Sequence, residues 1–117
     1  MVVRRGDLSA RRDLLTRFLR AVIEGNYLAL ANAAQAKEVL ARELKITNPS
    51  VIDISYDDFR AQSPPDMDIS MPGVENVLKV SAGSGSHNVT DYVDGSVLAE
   101  LHKQGFFAAL EKQYGKR

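Results

Sequence analysis

The sequence predicts a mostly α protein of five or six helices, with at most one or two short strands, in a single domain over residues 1–117. Several segments repeat apolar residues at spacings of three and four, which places them on one face of a helix. Residues that favour helix ends separate these segments. The 117-residue chain is 44% hydrophobic and 26% charged, as in ordinary globular domains.

The first predicted helix follows Ser9, a residue that suits an N-cap. Gly25 and Asn26 interrupt its pattern and allow a bend, because glycine lowers helix propensity. Its predicted buried face consists of Leu14, Leu15, Phe18, Leu19, Val22, Ile23 and Tyr27.

Two more helices are predicted between residues 32 and 60. Asn32 and Gln35 have the spacing of a capping box, and the helix that follows would bury Val39, Leu40 and Leu44. Asn48 before Pro49 predicts another helix start, because Asn suits the N-cap and proline suits the first turn. The buried face of this third helix is predicted to be Ile52, Tyr56 and Phe59.

A proline-containing link at 61–69 leads to a fourth helix, which we expect Ser70 to cap and Pro72 to enter. Its buried residues would be Val74, Val77 and Leu78. Residues 83–88 are predicted to be a loop. The candidate strands are Val2–Val3 and the short stretch from Val89 to Val93.

The last part of the chain predicts a fifth helix capped by Asp94 and ended by Gly105. A short final helix would follow. The side chains expected to matter most for packing along the whole chain are Leu15, Phe18, Leu19, Val22, Val39, Leu40, Tyr56, Phe59, Val77, Leu78, Leu98 and Leu101.

Charge is balanced overall but unevenly distributed. Residues 4–20 carry a net charge of +4 and residues 53–68 a net charge of −4, while the chain as a whole has a net charge of +0. The segments are either solvated helix faces or patches for an anion and a cation. With no basic excess we expect no nucleic-acid partner. No apolar run approaches the roughly 20 residues of a membrane span, so we expect no membrane insertion.

Neither a catalytic site nor a metal or cofactor site is predicted. The chain has no cysteine, which excludes thiolate ligands and a cysteine nucleophile. His87 and His102 are not at a metal-ligand spacing. Gly83–Gly85 lacks the lysine of a phosphate loop, and the adjacent Asp57 and Asp58 would diverge on a helix. We therefore expect a non-enzymatic protein without a cofactor.

Read in order, five segments resemble the solute-binding proteins of nitrate, sulfonate and taurine importers of the ABC type, a group that includes thiamine-pyrimidine-precursor proteins. The resemblance begins with Val2–Leu8 and the arginine-rich segment Arg12–Ala21. It continues in the helical segment Asn32–Ala41. The last matching segments are Met71–Leu78 and Asp91–Leu101.

The resemblance covers nearly the whole chain and implies the C-terminal helical part of a two-lobed α/β periplasmic-binding-protein fold. It implies a non-catalytic receptor for a small anionic or sulfonate-like solute, or a pyrimidine precursor, with an ABC permease as partner. The parent group works in the periplasm or outside the cell, held near the membrane. Because no signal peptide follows Met1, a chain that naturally starts there is expected in the cytoplasm.

The lobes and sheets of such a receptor have no counterpart here, so the helix faces that would cover them need another surface. We expect a homodimer or higher oligomer, with the N-terminal helix a candidate for exchange. Arg4 and Arg5 are the candidate anion-facing residues, with solvated arginines as the alternative. Two further functions stay open: a free-standing helical interaction module, and an enzyme resembling pyrimidine-precursor synthases.

Overall fold

A computed structural model describes residues 1–81 and 88–116. It confirms a mostly α fold. The predicted loop at 83–88, with Gly83–Gly85 and His87, falls almost entirely outside the described residues. The described part contains seven α-helices and one 3-10 turn at Val89–Asp91. The helices are α1 (Arg5–Ala10), α2 (Arg12–Ala31), α3 (Ala33–Leu44), α4 (Pro49–Gln62), α5 (Met71–Ser81), α6 (Ser96–Lys103) and α7 (Phe106–Tyr114).

Three predicted helix starts are confirmed by their capping bonds. The Asn32 Oδ1 accepts from the Gln35 backbone N–H at 3.1 Å, and the Asn48 Oδ1 accepts from the Ser50 N–H at 3.0 Å. Ser70 Oγ accepts from the Gly73 N–H at 3.2 Å. Each bond satisfies an N–H group that has no acceptor within the first helical turn.

The N-terminal helix differs from its prediction in two ways. Ser9 lies inside α1, where its hydroxyl donates to the Gly6 carbonyl at 3.2 Å, and Arg11 separates α1 from α2 with a φ of −125°. The helix α2 then continues through Gly25 and Asn26. Burial of Ile23 and Tyr27 on either side of the glycine offsets its low helix propensity.

Both candidate strands are wrong. Val2 and Val3 have no regular structure, and Val89–Asp91 forms the 3-10 turn. The Asn88 Oδ1 caps this turn by accepting from the Thr90 N–H at 3.2 Å. A strand needs a second strand to satisfy its backbone groups, and no strand is found at 1–81 or 88–116, so a local turn is the alternative.

The last two helices meet at a tight corner. The Asp94 carboxylate accepts from the Ser96 N–H at 2.8 Å, where α6 begins. Gly105 has a φ of +72°, in the left-handed region that favours glycine, and it lies between α6 and α7. The predicted role of Gly105 is thus confirmed. Asp94 is one residue off its predicted place, because the N-cap of α6 is Gly95, although the Asp94 carboxylate still bonds to the first turn of the helix.

The main hydrophobic core lies where α2 packs against α6 and α7. Ile23 and Leu101 are its two fully buried side chains among the described residues. The other buried members are Leu19, Tyr27, Val97, Phe106, Phe107 and Leu110. Tyr56 is buried separately, between α4 and α2.

Of the twelve residues predicted to matter most for packing, only Leu19, Tyr56 and Leu101 are fully in the interior. Phe18, Val39 and Val77 are exposed, so their predicted burial is wrong. The physical reason is that a helix stripe is buried only where another element covers it. The rest are half-buried: Leu15, Val22, Leu40, Phe59, Leu78 and Leu98.

The arrangement leaves the molecule extended. The Cα radius of gyration is 16.7 Å, whereas a compact domain of this length has one of about 13 Å. The solvent-accessible surface is 8363 Å², about a third more than the roughly 6,300 Å² expected of a compact monomer of this mass. The helices therefore leave about 2,000 Å² more surface in water than such a monomer would.

Candidate functional site

The described chain has an apolar cleft between α2, α3 and α4. Its volume is about 290 Å³, close to the lower end of the range for small-molecule sites. The floor comes from the C-terminal half of α2, and α3 and α4 supply the walls. The lining residues are Gly25, Asn26, Leu28, Ala29, Asn32, Gln35, Ala36, Val39, Leu40, Tyr56 and Phe59.

The polar groups of this cleft are already engaged in holding the helices. The Tyr56 hydroxyl donates to the Ala29 carbonyl at 3.1 Å. Asn32 uses its side-chain oxygen to cap α3, and the Asn26 amide donates to the Pro65 carbonyl at 3.4 Å. The remaining lining is mainly aliphatic and aromatic, so the cleft is suited to an apolar group.

A charged contact joins α3 to α4. The Lys37 ammonium lies 2.8 Å from a carboxylate oxygen of Asp53 and 5.4 Å from the ring centre of Tyr56. The hydrogen bond to Asp53 raises the pKa of Lys37, and its charge adds to the effect. This pair links α3 to α4 beside the cleft.

The basic N-terminal segment contacts the start of α6. The Arg5 guanidinium donates to the Asp91 carbonyl. Arg12 donates to the Ser96 hydroxyl at 3.1 Å and forms an ion pair with Glu100 at 3.1 Å. The hydrogen bonds from Ser96 lower the pKa of Asp94, and the charges of Arg12 and Arg5 lower it further.

This geometry separates the two candidate anion-facing residues. Arg5 is engaged with the turn before α6, whereas Arg4 precedes α1 and its backbone carbonyl accepts the first hydrogen bonds of that helix. Both are exposed. Their role toward an anion stays a prediction.

The acidic segment has its own local partners. Asp53 pairs with Lys37, and Asp57 lies 3.9 Å from Arg60.

His102 stacks on Phe107, with ring centres 4.1 Å apart. Within residues 1–81 and 88–116, no three His, Cys, Asp or Glu side chains are grouped so that they could hold a metal. Of the described helices, none combines the length and apolarity required to cross a membrane.

Sequence reasoning missed the cleft. Its signal was present in α2, where Gly25, Leu28 and Asn32 continue the same helical stripe as Leu14 and Phe18. Pattern analysis assigned the apolar residues of α2 to a single buried face. The structure buries Leu19, Ile23 and Tyr27 against α6 and α7 and leaves Leu14 and Phe18 exposed. Leu28, on the same stripe as these two, lines the cleft.

Comparison of the chain with protein-family models, with curated proteins and with solved structures finds no match. The resemblance to solute-binding proteins therefore stays a prediction from the sequence.

Proposed function

We propose that the chain is the helical C-terminal part of a non-catalytic solute-binding protein of an ABC importer. Its solutes would be nitrate-, sulfonate- or taurine-like anions or pyrimidine precursors, and it would work with a permease outside the cytoplasmic membrane. Five motifs in family order support the proposal. Helix starts at Asn32, Asn48 and Ser70 are compatible with that order.

The observation that carries the proposal is the excess of exposed surface. On α5, Val77 is 62% exposed and Val80 is 88% exposed, and both are aliphatic residues of a regular helix. Such a face is expected of a helix that packs on another part of a larger protein. In a two-lobed receptor, that part would be the body of a lobe.

The test is the mass of the native product in its source cells, measured by immunoblot with an antibody against this chain. A band several times larger than 12.9 kDa supports a receptor of which this chain is one part. A band at 12.9 kDa contradicts the proposal and favours the second candidate below.

Anion binding by the native product is a separate test. In calorimetric titration with taurine and with nitrate, we expect the Arg4→Ala/Arg5→Ala variant to bind more weakly than the parent protein. The matched control is Arg42→Ala/Arg60→Ala, which removes the same charge from α3 and α4. Unchanged binding in the first variant would remove Arg4 and Arg5 from the site.

A second candidate function is a free-standing helical interaction module without ligand binding of its own. The cleft between α2, α3 and α4 favours it, because its apolar lining continues onto exposed residues of α2. Oligomerisation of the purified chain in the absence of any solute binding would support this candidate.

A further inference from the structure

The helix α2 carries an apolar stripe that the rest of the described chain leaves uncovered at one end. The stripe repeats at alternating spacings of four and three residues, the pattern of a helix that packs along another helix. Leu14 is 53% exposed, Phe18 is 54% exposed and Leu28 is 38% exposed. Its members are Leu14, Phe18, Ala21, Gly25 and Leu28.

The stripe runs from open surface into the cleft. Its C-terminal members, Gly25 and Leu28, line the cleft beside Val39 of α3. Its N-terminal members, Leu14 and Phe18, project beyond it into solvent. One end of the stripe is thus concave and the other end protrudes, so the two ends of the same helix complement each other in shape.

Charged residues along one edge of the stripe favour one relative orientation of two paired helices. Arg17 precedes Phe18 and Glu24 precedes Gly25, so the two charges occupy the same position of the seven-residue repeat. Arg17 is exposed and pairs within its own helix with Asp13 at 3.1 Å. Glu24 accepts from the Tyr114 hydroxyl at 3.5 Å. Both residues are exposed.

We propose that a second copy of this chain docks on the stripe, with the two α2 helices antiparallel about a twofold axis at Ala21. Leu14 and Leu28 are each seven residues from Ala21, so Leu14 of one copy meets Leu28 of the other. The same symmetry brings Arg17 to within one residue of Glu24, about 1.5 Å along the helix axis, on the same side at both ends of the pair. In a parallel pair Leu14 would meet Leu14 and Arg17 would meet Arg17, so neither the leucine pair nor the charge pair would form.

Side-chain size agrees with this register. Phe18 of one copy lies within one residue of Gly25 of the other, about 1.5 Å along the helix axis. A Cβ at Gly25 would meet nothing within 4 Å. The absence of a side chain there leaves room for the ring at the mouth of the cleft. A large residue facing glycine on a paired helix permits close packing without a void.

The surface of the whole chain is compatible with pairing. Specific interfaces remove about 800 Å² from each partner, and the whole chain, α5 included, exposes about 2,000 Å² more than a compact monomer would. The pairing uses α2 and does not rest on the proposed function, which is argued from the α5 face.

Cross-linking tests the register, because the chain contains no cysteine. A mixture of Leu14→Cys and Leu28→Cys chains should form disulfide-linked dimers under mild oxidation. Neither variant alone should do so, since its own copies of that position would be about 21 Å apart along an antiparallel pair. Ala61→Cys on exposed α4 is the matched control and should stay monomeric on denaturing gels.

The results separate the arrangements. Cross-linking of Leu14→Cys with itself as fast as the mixture would mean parallel pairing and overturn the proposal. No cross-linking in the mixture, or equal cross-linking of Ala61→Cys, would also overturn it.

Exchanging the two charges tests how much they contribute to dimerisation. Sedimentation equilibrium measures the dimer dissociation constant, and circular dichroism checks that each variant is folded. Arg17→Glu alone and Glu24→Arg alone should each raise the dimer dissociation constant about tenfold. The double variant should restore it, because the charges that face each other across the pair are then of opposite sign again. A monomeric wild-type chain, or a double variant as weak as the single ones, would overturn the proposal.

Discussion

Single residues in this protein act mainly at the ends of helices. The Asp94 carboxylate bonds to the backbone of Ser96, and the nearby charges of Arg5 and Arg12 help to keep it ionised. Arg12 also bonds to Ser96 and Glu100, so one short segment joins the N-terminus of the chain to α6. Arg5 and Arg12, which belong to the segment predicted as an anion patch, thus bond to other parts of the same chain.

Replacing Asp94 by alanine should lower the free energy of unfolding by about 0.5–1 kcal/mol at neutral pH, because the start of α6 loses its acceptor. The folded pKa of Asp94 is lowered below its ordinary value. Its contribution is therefore present above about pH 4 and is lost as the pH falls through the folded pKa. Urea unfolding of both proteins across the acid range measures this difference.

The Asp58→Ala variant is the control for removing one exposed carboxylate from α4. It should differ little from the parent protein at any pH. A constant difference between Asp94→Ala and the parent protein from neutral to strongly acidic pH would contradict the argument.

At the scale of elements, the short connections between helices determine how the helices pack. Gly105 turns the chain between α6 and α7 and so brings Leu101 and Phe106 into one core. The cap at Asn32 lets α3 leave α2 and form one wall of the cleft. Short connections at both joints make neighbouring helices pack together.

Replacing Gly105 by alanine should destabilise the fold by about 1 kcal/mol, because φ is +72° there and a Cβ strains that conformation. Gly6→Ala is the matched control, since Gly6 lies inside α1, has no positive φ, and its Cβ would meet nothing within 4 Å. Thermal unfolding should separate the two variants. Equal melting temperatures would contradict the role assigned to Gly105.

For the whole molecule, the notable property is a small core in an extended helical assembly. Its main buried cluster joins α2, α6 and α7, while α3 and α4 contact the other side of α2 around Tyr56. The exposed Leu14 and Phe18 of α2 and Val77 and Val80 of α5 lie outside both groups. Stability should therefore be concentrated in the core cluster and nearly absent from the α5 face.

Leu101→Ala should cost about 2–5 kcal/mol of unfolding free energy, because the side chain is 0% exposed and its removal leaves a cavity. Val77→Ala on α5 should cost less than about 0.5 kcal/mol. Chemical denaturation at one fixed protein concentration compares them, since association would change apparent stability. A large loss in Val77→Ala would show that the α5 face is covered in solution.

Local sequence was sufficient to predict the helical class and most helix starts. Capping by Asn32, Asn48 and Ser70 and the turn at Gly105 depend on a few neighbouring residues, as does the bond from Asp94 to the first turn of α6. These preferences of particular residues for helix ends follow from the local sequence. The same local rules misassigned Val89–Val93, because a strand depends on a second strand elsewhere.

Which apolar residues are buried depended on tertiary packing. Leu19 and Phe18 are neighbours on α2 with similar hydrophobicity, yet α7 covers one side of the helix and leaves the other in water. The cleft likewise requires α2, α3 and α4 together. Periodicity identifies a helix face, but burial depends on a second surface whose position comes from contacts distant in sequence.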